Sequence, residues 1–89
     1  MITIYKYPLQ VTDVQHVEIP VGAQILKVDE QNSKMFLWAL VQNVSHTYNM
    51  EVRIIGTGQE FNDHSDYEHL GSVLTSDGFF VWHVFRRKM

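Results

Sequence analysis

Apolar and aromatic residues recur at every second position in seven short runs along the chain. That period of two marks strands with one face turned toward a core. ITIYKY (2–7) opens the series, with Ile2 and Ile4 on one side and Tyr5 and Tyr7 on the other. Pro8 is expected to end it, because proline donates nothing to a ladder. VQHVEI (14–19) puts Val17 and Ile19 on one side and stops at Pro20. Val21-Gly22-Ala23 then turns into QILKVDEQ (24–31), and Asn32-Ser33-Lys34 joins that run to MFLWALVQN (35–43) as a hairpin. MEVRIIG (50–56) points Val52 and Ile54 away from Glu51 and Arg53. HLGSVLT (69–75) and FFVWHVFR (79–86) flank Ser76-Asp77-Gly78, whose Asp-Gly is a strong hairpin signal.

No stretch keeps apolar residues at i, i+3, i+4 and i+7, so no helix is predicted beyond a single turn within 59–69. Seven strands with frequent turn signals predict an all-β domain over residues 1–89. It would be a small β-sandwich or a partly open β-barrel of antiparallel strands.

Two runs break the one-sided rule. In FFVWHVF (79–85), Phe79, Val81 and Phe85 oppose Phe80, Trp82 and Val84, and only His83 is polar. In MFLWALV (35–41), Met35, Leu37, Ala39 and Val41 oppose Phe36, Trp38 and Leu40. A two-layer domain leaves the outer face of each sheet in water unless something covers it. Either the long 57–69 segment or the chain ends lie over these strands, or Trp38 and Trp82 belong to a patch that a partner or a second copy buries. Monomers rarely leave a large apolar patch open, and tryptophan is a frequent interface anchor.

Composition narrows the functional classes. The chain has 89 residues, 45% of them hydrophobic and 19% charged, which suits one ordinary globular core. It has no cysteine, which removes disulfides, thiolate metal sites and cysteine nucleophiles together. The opening MITIYKY has no basic-then-apolar leader, and no stretch approaches the ~20 apolar residues of a spanning helix. A soluble intracellular protein with no membrane partner is expected. Net charge is −3, and Arg86-Arg87-Lys88 is the single basic run, so direct nucleic-acid binding is not expected. An acidic protein is instead matched to a basic surface of another protein.

Gly56-Thr57-Gly58 follows a strand and could cradle a small anion with Arg53, or could simply be a turn. It fits neither the dinucleotide fingerprint nor the P-loop pattern. Asp63, His64, Asp66, Glu68 and His69 crowd one segment, yet their spacing matches no metal motif, and no metal or cofactor is predicted. His16, His46 and His64 are read as solvated. His83 is either a core or interface histidine bonded to a backbone carbonyl or a tyrosine, or a ligand-contacting or proton-transferring imidazole. No nucleophile–base spacing predicts catalysis.

IYKYPL, VEIPVGAQILKV, FLWALV, RIIGTGQEF, YEHLGSV and the late FVWHVF, in that order, resemble a family of short uncharacterised proteins of tailed phages and prophages. The similarity runs over essentially the whole chain, departing in the long 57–69 segment and in Arg86-Arg87-Lys88-Met89. The resemblance implies a phage origin and a β fold, and it transfers no catalytic residue.

A non-enzymatic binding protein in the cytoplasm of an infected bacterium is therefore expected. It would occlude a host factor, as in counter-defence, through an aromatic patch rimmed by Glu51, Asp63, Asp66 and Glu68. The alternative is a sponge for a small signalling nucleotide at a homodimer interface, and third comes a metal-dependent enzyme using the 63–69 cluster and His83. The candidate partner- or ligand-binding residues are Trp38, Arg53, Gly56, Thr57, Gly58, Tyr67, Trp82 and His83.

Overall fold

A computed structural model describes residues 1–42 and 46–89 of the chain. The last residue of the predicted 35–43 strand, Asn43, lies outside the described residues. Seven strands form among the described residues: β1 (Thr3–Leu9), β2 (Val14–Pro20), β3 (Gln24–Gln31), β4 (Lys34–Val41), β5 (Thr47–Gly56), β6 (Tyr67–Leu74) and β7 (Val81–Arg87). One 3-10 turn, His64–Asp66, precedes β6, within the segment where a helical turn was expected. No helix among the described residues is long and apolar enough to cross a membrane.

The strands make two antiparallel sheets, one ordered β1-β4-β3 and the other β2-β5-β7-β6. They pack face to face into a body only 16 Å across its short axis, which leaves room for two layers and no third. Among the described residues no closed barrel forms. β3 and β6 lie against each other and join the sheets along one seam, while β1 and β2 remain as edges.

Those edges explain a difference from the sequence reading. β1 runs through Pro8 to Leu9, and β2 includes Pro20. A proline on an edge strand takes no ladder bond away from a neighbour, so Pro8 does not stop β1, while β2 does end at Pro20 as expected. Between β3 and β4 the turn is only Asn32-Ser33, both with positive φ (53° and 65°), the geometry whose twist suits a two-residue hairpin.

The core is built from the period-2 faces. Met35, Leu37, Ala39 and Val41 of β4 are all buried, as are Met50, Val52 and Ile54 of β5 and Val84 of β7. Leu9 from β1, Val17 and Ile19 from β2, Val28 from β3 and Val73 from β6 complete the buried cluster. The seam is tight. A Cβ on Gly71 would stand 2.6 Å from Val28 Cγ2, so β6 reaches β3 only because position 71 has no side chain.

Gly71→Ala should therefore cost about 1–3 kcal/mol through overpacking. Combining it with Val28→Ala should recover part of that loss, giving a favourable coupling in a double-mutant cycle read by urea unfolding. Strictly additive losses would show that the seam is not set by this contact.

Candidate functional site

The outer face of the four-stranded sheet gathers four of the sequence candidates. Antiparallel register places Arg53 opposite Phe85, Ile55 opposite His83, Ser72 opposite His83 and Tyr67 opposite Arg87. The tip of β5 brings Thr57 to the same face. Thr57 Oγ1 lies 2.8 Å from His83 Nε2, Ser72 Oγ lies 2.8 Å from His83 Nδ1, and His69 Nε2 lies 3.1 Å from Ser72 Oγ. His83 is thus bonded to two hydroxyls rather than to a backbone carbonyl or a tyrosine.

With both imidazoles neutral, this chain closes in either of two directions. In one, the Thr57 hydroxyl donates to His83 Nε2, His83 Nδ1–H donates to Ser72, and the Ser72 hydroxyl donates to His69 Nε2. In the other, every donor and acceptor is exchanged. A proton could pass along such a chain. As a hydrolytic centre it lacks one part, because the group orienting the far nitrogen of His83 is a neutral threonine where a triad has an acid.

Beside this chain sits a second, smaller apolar cluster. The 57–66 segment folds back over β7, and the Phe61 ring packs 4.9 Å from Phe85 and 5.4 Å from Tyr67. The Arg53 guanidinium lies over both Phe61 (5.1 Å) and Tyr67 (5.4 Å). It is paired with Asp13 at 3.1 Å and Asp63 at 3.5 Å, and its side chain is only 14% exposed. The neighbouring Tyr67 phenol, and then the Asp13 and Asp63 carboxylates, hold its proton more firmly than usual against the opposing effect of burial. Tyr67 is buried; its hydroxyl donates to Glu51 and accepts from Arg87. His16 is exposed, as expected, and stands 3.9 Å from Glu51.

The Gly56-Thr57-Gly58 turn is closed on itself. The Gln59 amide donates to Gly56 O, and the Gly56 amide donates to the Gln59 side chain, each at 3.0 Å. A Cβ on Gly56 would meet the Trp82 ring at 3.1 Å, so this glycine admits a tryptophan rather than a phosphate.

The two tryptophans do not share a surface. Trp38 is half-buried on the outer face of the three-stranded sheet, tilted against Phe36, with Lys27 Nζ 5.9 Å above it and Lys6 Nζ 4.6 Å above Phe36. Trp82 points between the sheets at the far end of the sandwich. There it lines a cleft of about 480 Å³ with Leu9, Val11, Met35 and Lys34.

A model of a domain of unknown function, DUF7352, matches residues 1–89, the whole of the chain. The chain belongs to the DUF7352 family. No curated protein and no solved structure matches it.

In this DUF7352 chain the acidic 63–69 segment is dispersed rather than convergent. Asp63 turns to Arg53, Glu68 to Arg86 at 3.2 Å, and His69 to Ser72. Among the described residues no three His, Cys, Asp or Glu side chains group as metal ligands. Sequence reasoning missed Phe61 and Ser72, and it named His69 only within the 63–69 cluster, not as a partner of Ser72. The expected hairpin register pointed away from Ser72: a three-residue turn at 76–78 would set Thr75 opposite Phe79 and His83 opposite Gly71. The observed connection pairs Leu74 with Val81 and so Ser72 with His83.

Arg53→Met keeps the stem and removes the charge that holds segment 57–66. It should lower stability by about 1–2 kcal/mol, the sum of exposed ion pairs and cation–π contacts. Amide exchange over 59–66 should quicken while that of β4 is unchanged. Unaltered exchange in that segment would show that Phe61 alone holds it.

Proposed function

We propose that the chain is a phage-encoded, non-enzymatic binding protein. It acts in the cytoplasm of the infected bacterium by covering a functional surface of a host factor, such as a component of a defence system. The observation that carries this reading is the connection between β6 and β7. Phe79 is 81% exposed and Phe80 54%, a costly arrangement for a protein with no use for it.

These two side chains stand on a turn whose polar groups are tied down. The Thr75 amide donates to Phe80 O at 2.9 Å, the Gly78 amide to Thr75 O at 2.9 Å, and the Phe80 amide to Thr75 Oγ1 at 3.2 Å. The Thr75 hydroxyl and the Phe79 amide both donate to Asp77 Oδ1. Glu30 on β3 receives the amide and the hydroxyl of Ser76, at 2.7 and 2.9 Å. A turn ordered before binding loses little entropy on binding, and a central aromatic anchor is the usual source of interface energy. Phe80 stacks on Trp82 with centroids 5.5 Å apart and planes 16° apart, which carries the aromatic surface into the cleft.

The acids beside these aromatics are Asp77 and Glu30. Of the rim expected from sequence, Glu51, Asp63 and Glu68 are each engaged with side chains of their own chain. The nucleotide-sponge alternative placed phosphate on Arg53 and residues 56–58. The two carboxylates on Arg53 and the bonded Gly56 amide weigh against that location.

Tagged protein expressed in the host bacterium should retain a specific host protein. The Phe79→Ala/Phe80→Ala variant, with unchanged β-sheet circular dichroism, should lose it by tenfold or more, about the loss of one hot spot. Equal retention by the variant, or no saturable complex with the purified host protein, would sink the reading.

Asp77 also predicts a pH dependence. The Thr75 hydroxyl and the Phe79 amide hold its carboxyl below the ordinary aspartate range. Its contribution to turn order is therefore complete above the unfolded value of about 3.9. It is lost only as pH falls through the lower folded value. Amide signals of 77–80 should stay fixed from neutral pH down to mild acid and move below it. Asp77→Asn should abolish that transition.

A further inference from the structure

The cleft that Trp82 lines has its own chemistry, distinct from the exposed turn. We propose that it is a binding site for a planar aromatic ring bearing one anionic group, of the size of a nucleoside monophosphate. This goes beyond the occlusion reading and does not depend on it.

The volume, about 480 Å³, lies within the range of small-molecule sites. Leu9, Met35 and Trp82 give apolar walls, and Val11 stands exposed at the rim. Such walls suit a flat ring and offer little to a sugar or a bare ion. Among the polar groups lining the cleft, most are already committed. Both Glu30 oxygens receive Ser76, and the Thr75 hydroxyl is bonded within its own turn. The Gln10 backbone is taken by the Gln15 side chain in both directions.

Lys34 is the exception. It is the one cation lining the cleft, and among the described residues it makes no ion pair or side-chain hydrogen bond. Lys6, Lys27, Arg53, Arg86 and Arg87 all have polar partners, and Lys88, whose side chain has none among the described residues, does not line the cleft. Glu30 brings a carboxylate to the same cleft, but both its oxygens are turned to Ser76. The free Lys34 ammonium beside the tryptophan-lined hollow is therefore the group that would select an anion attached to a ring. The position also differs from the Arg53 turn, so the two phosphate locations separate by mutation.

Trp38→Phe leaves Trp82 as the single tryptophan. Titration of that protein with AMP should change its fluorescence saturably, while inorganic phosphate should not. Adenosine should bind about tenfold more weakly, the loss expected for one charge-assisted contact. Lys34→Gln in the same background should weaken AMP by a similar factor and leave adenosine unchanged, whereas Arg53→Met should alter neither. Competition by a 5′-phosphorylated oligoadenylate would mark a strand end as the source of the ligand, and its absence a free nucleotide. No saturable change at millimolar AMP, or equal AMP affinity after Lys34→Gln, overturns the assignment. Either failure leaves the Phe79 reading standing, because that rests on capture of a host protein.

Discussion

A two-layer sandwich buries one face of each sheet, yet β7 carries apolar side chains on both. Its inner face meets the core through Val84, which is fully buried. Its outer face presents Phe85, and water there would be costly at roughly 25 cal/mol per Å² of apolar surface. The chain covers that face with its own 57–66 segment, whose Phe61 packs on Phe85 and Tyr67. A loop of this length has little reason to stay put for one phenylalanine. Arg53 supplies the reason: it stacks on both rings and binds Asp13 on one side and Asp63 on the other.

That clamp decides which surfaces remain for other work. The guanidinium is matched by two carboxylates, and Tyr67 lies beneath it in contact with Glu51 and Arg87. A cation neutralised in this way attracts a ligand phosphate weakly, since the ligand must first displace carboxylates already in place. The same lid leaves His83 accessible, but with both ring nitrogens engaged by hydroxyls. Phe79, Phe80, the cleft and Lys34 stay uncommitted.

Much of the fold was legible because period-2 alternation states directly which side chains share a face. Met35, Leu37, Ala39 and Val41 were assigned one side of β4 by spacing alone, and all four are buried. Pro20 does end β2, but β1 runs through Pro8 to Leu9, since sequence does not say which strands lie at a sheet edge. The candidate site was less legible. Arg53, Thr57, Tyr67 and His83 do share one face, but Trp38 and Trp82 lie elsewhere. His69 and Ser72 join His83 only through a register fixed by a longer connection than Asp-Gly alone suggests. Phe61 gave no periodic signal at all, because a lid residue acts singly.

The exposed turn and the seam between the sheets are mechanically one feature. Ser76 is bonded through its amide and hydroxyl to Glu30 on β3, and β3 is the strand that Gly71 allows β6 to approach. The bonds that order residues 75–80 therefore also tie the hairpin to the opposite sheet. A change at the seam that moves β6 away from Val28 would pull Ser76 from Glu30 and free the turn that presents Phe79. Binding at that end would run the other way, since a partner that needs the ordered turn favours the closed seam by the same linkage. Small size makes this coupling stronger, because among the described residues there is no further layer between Glu30 and the core to absorb the strain.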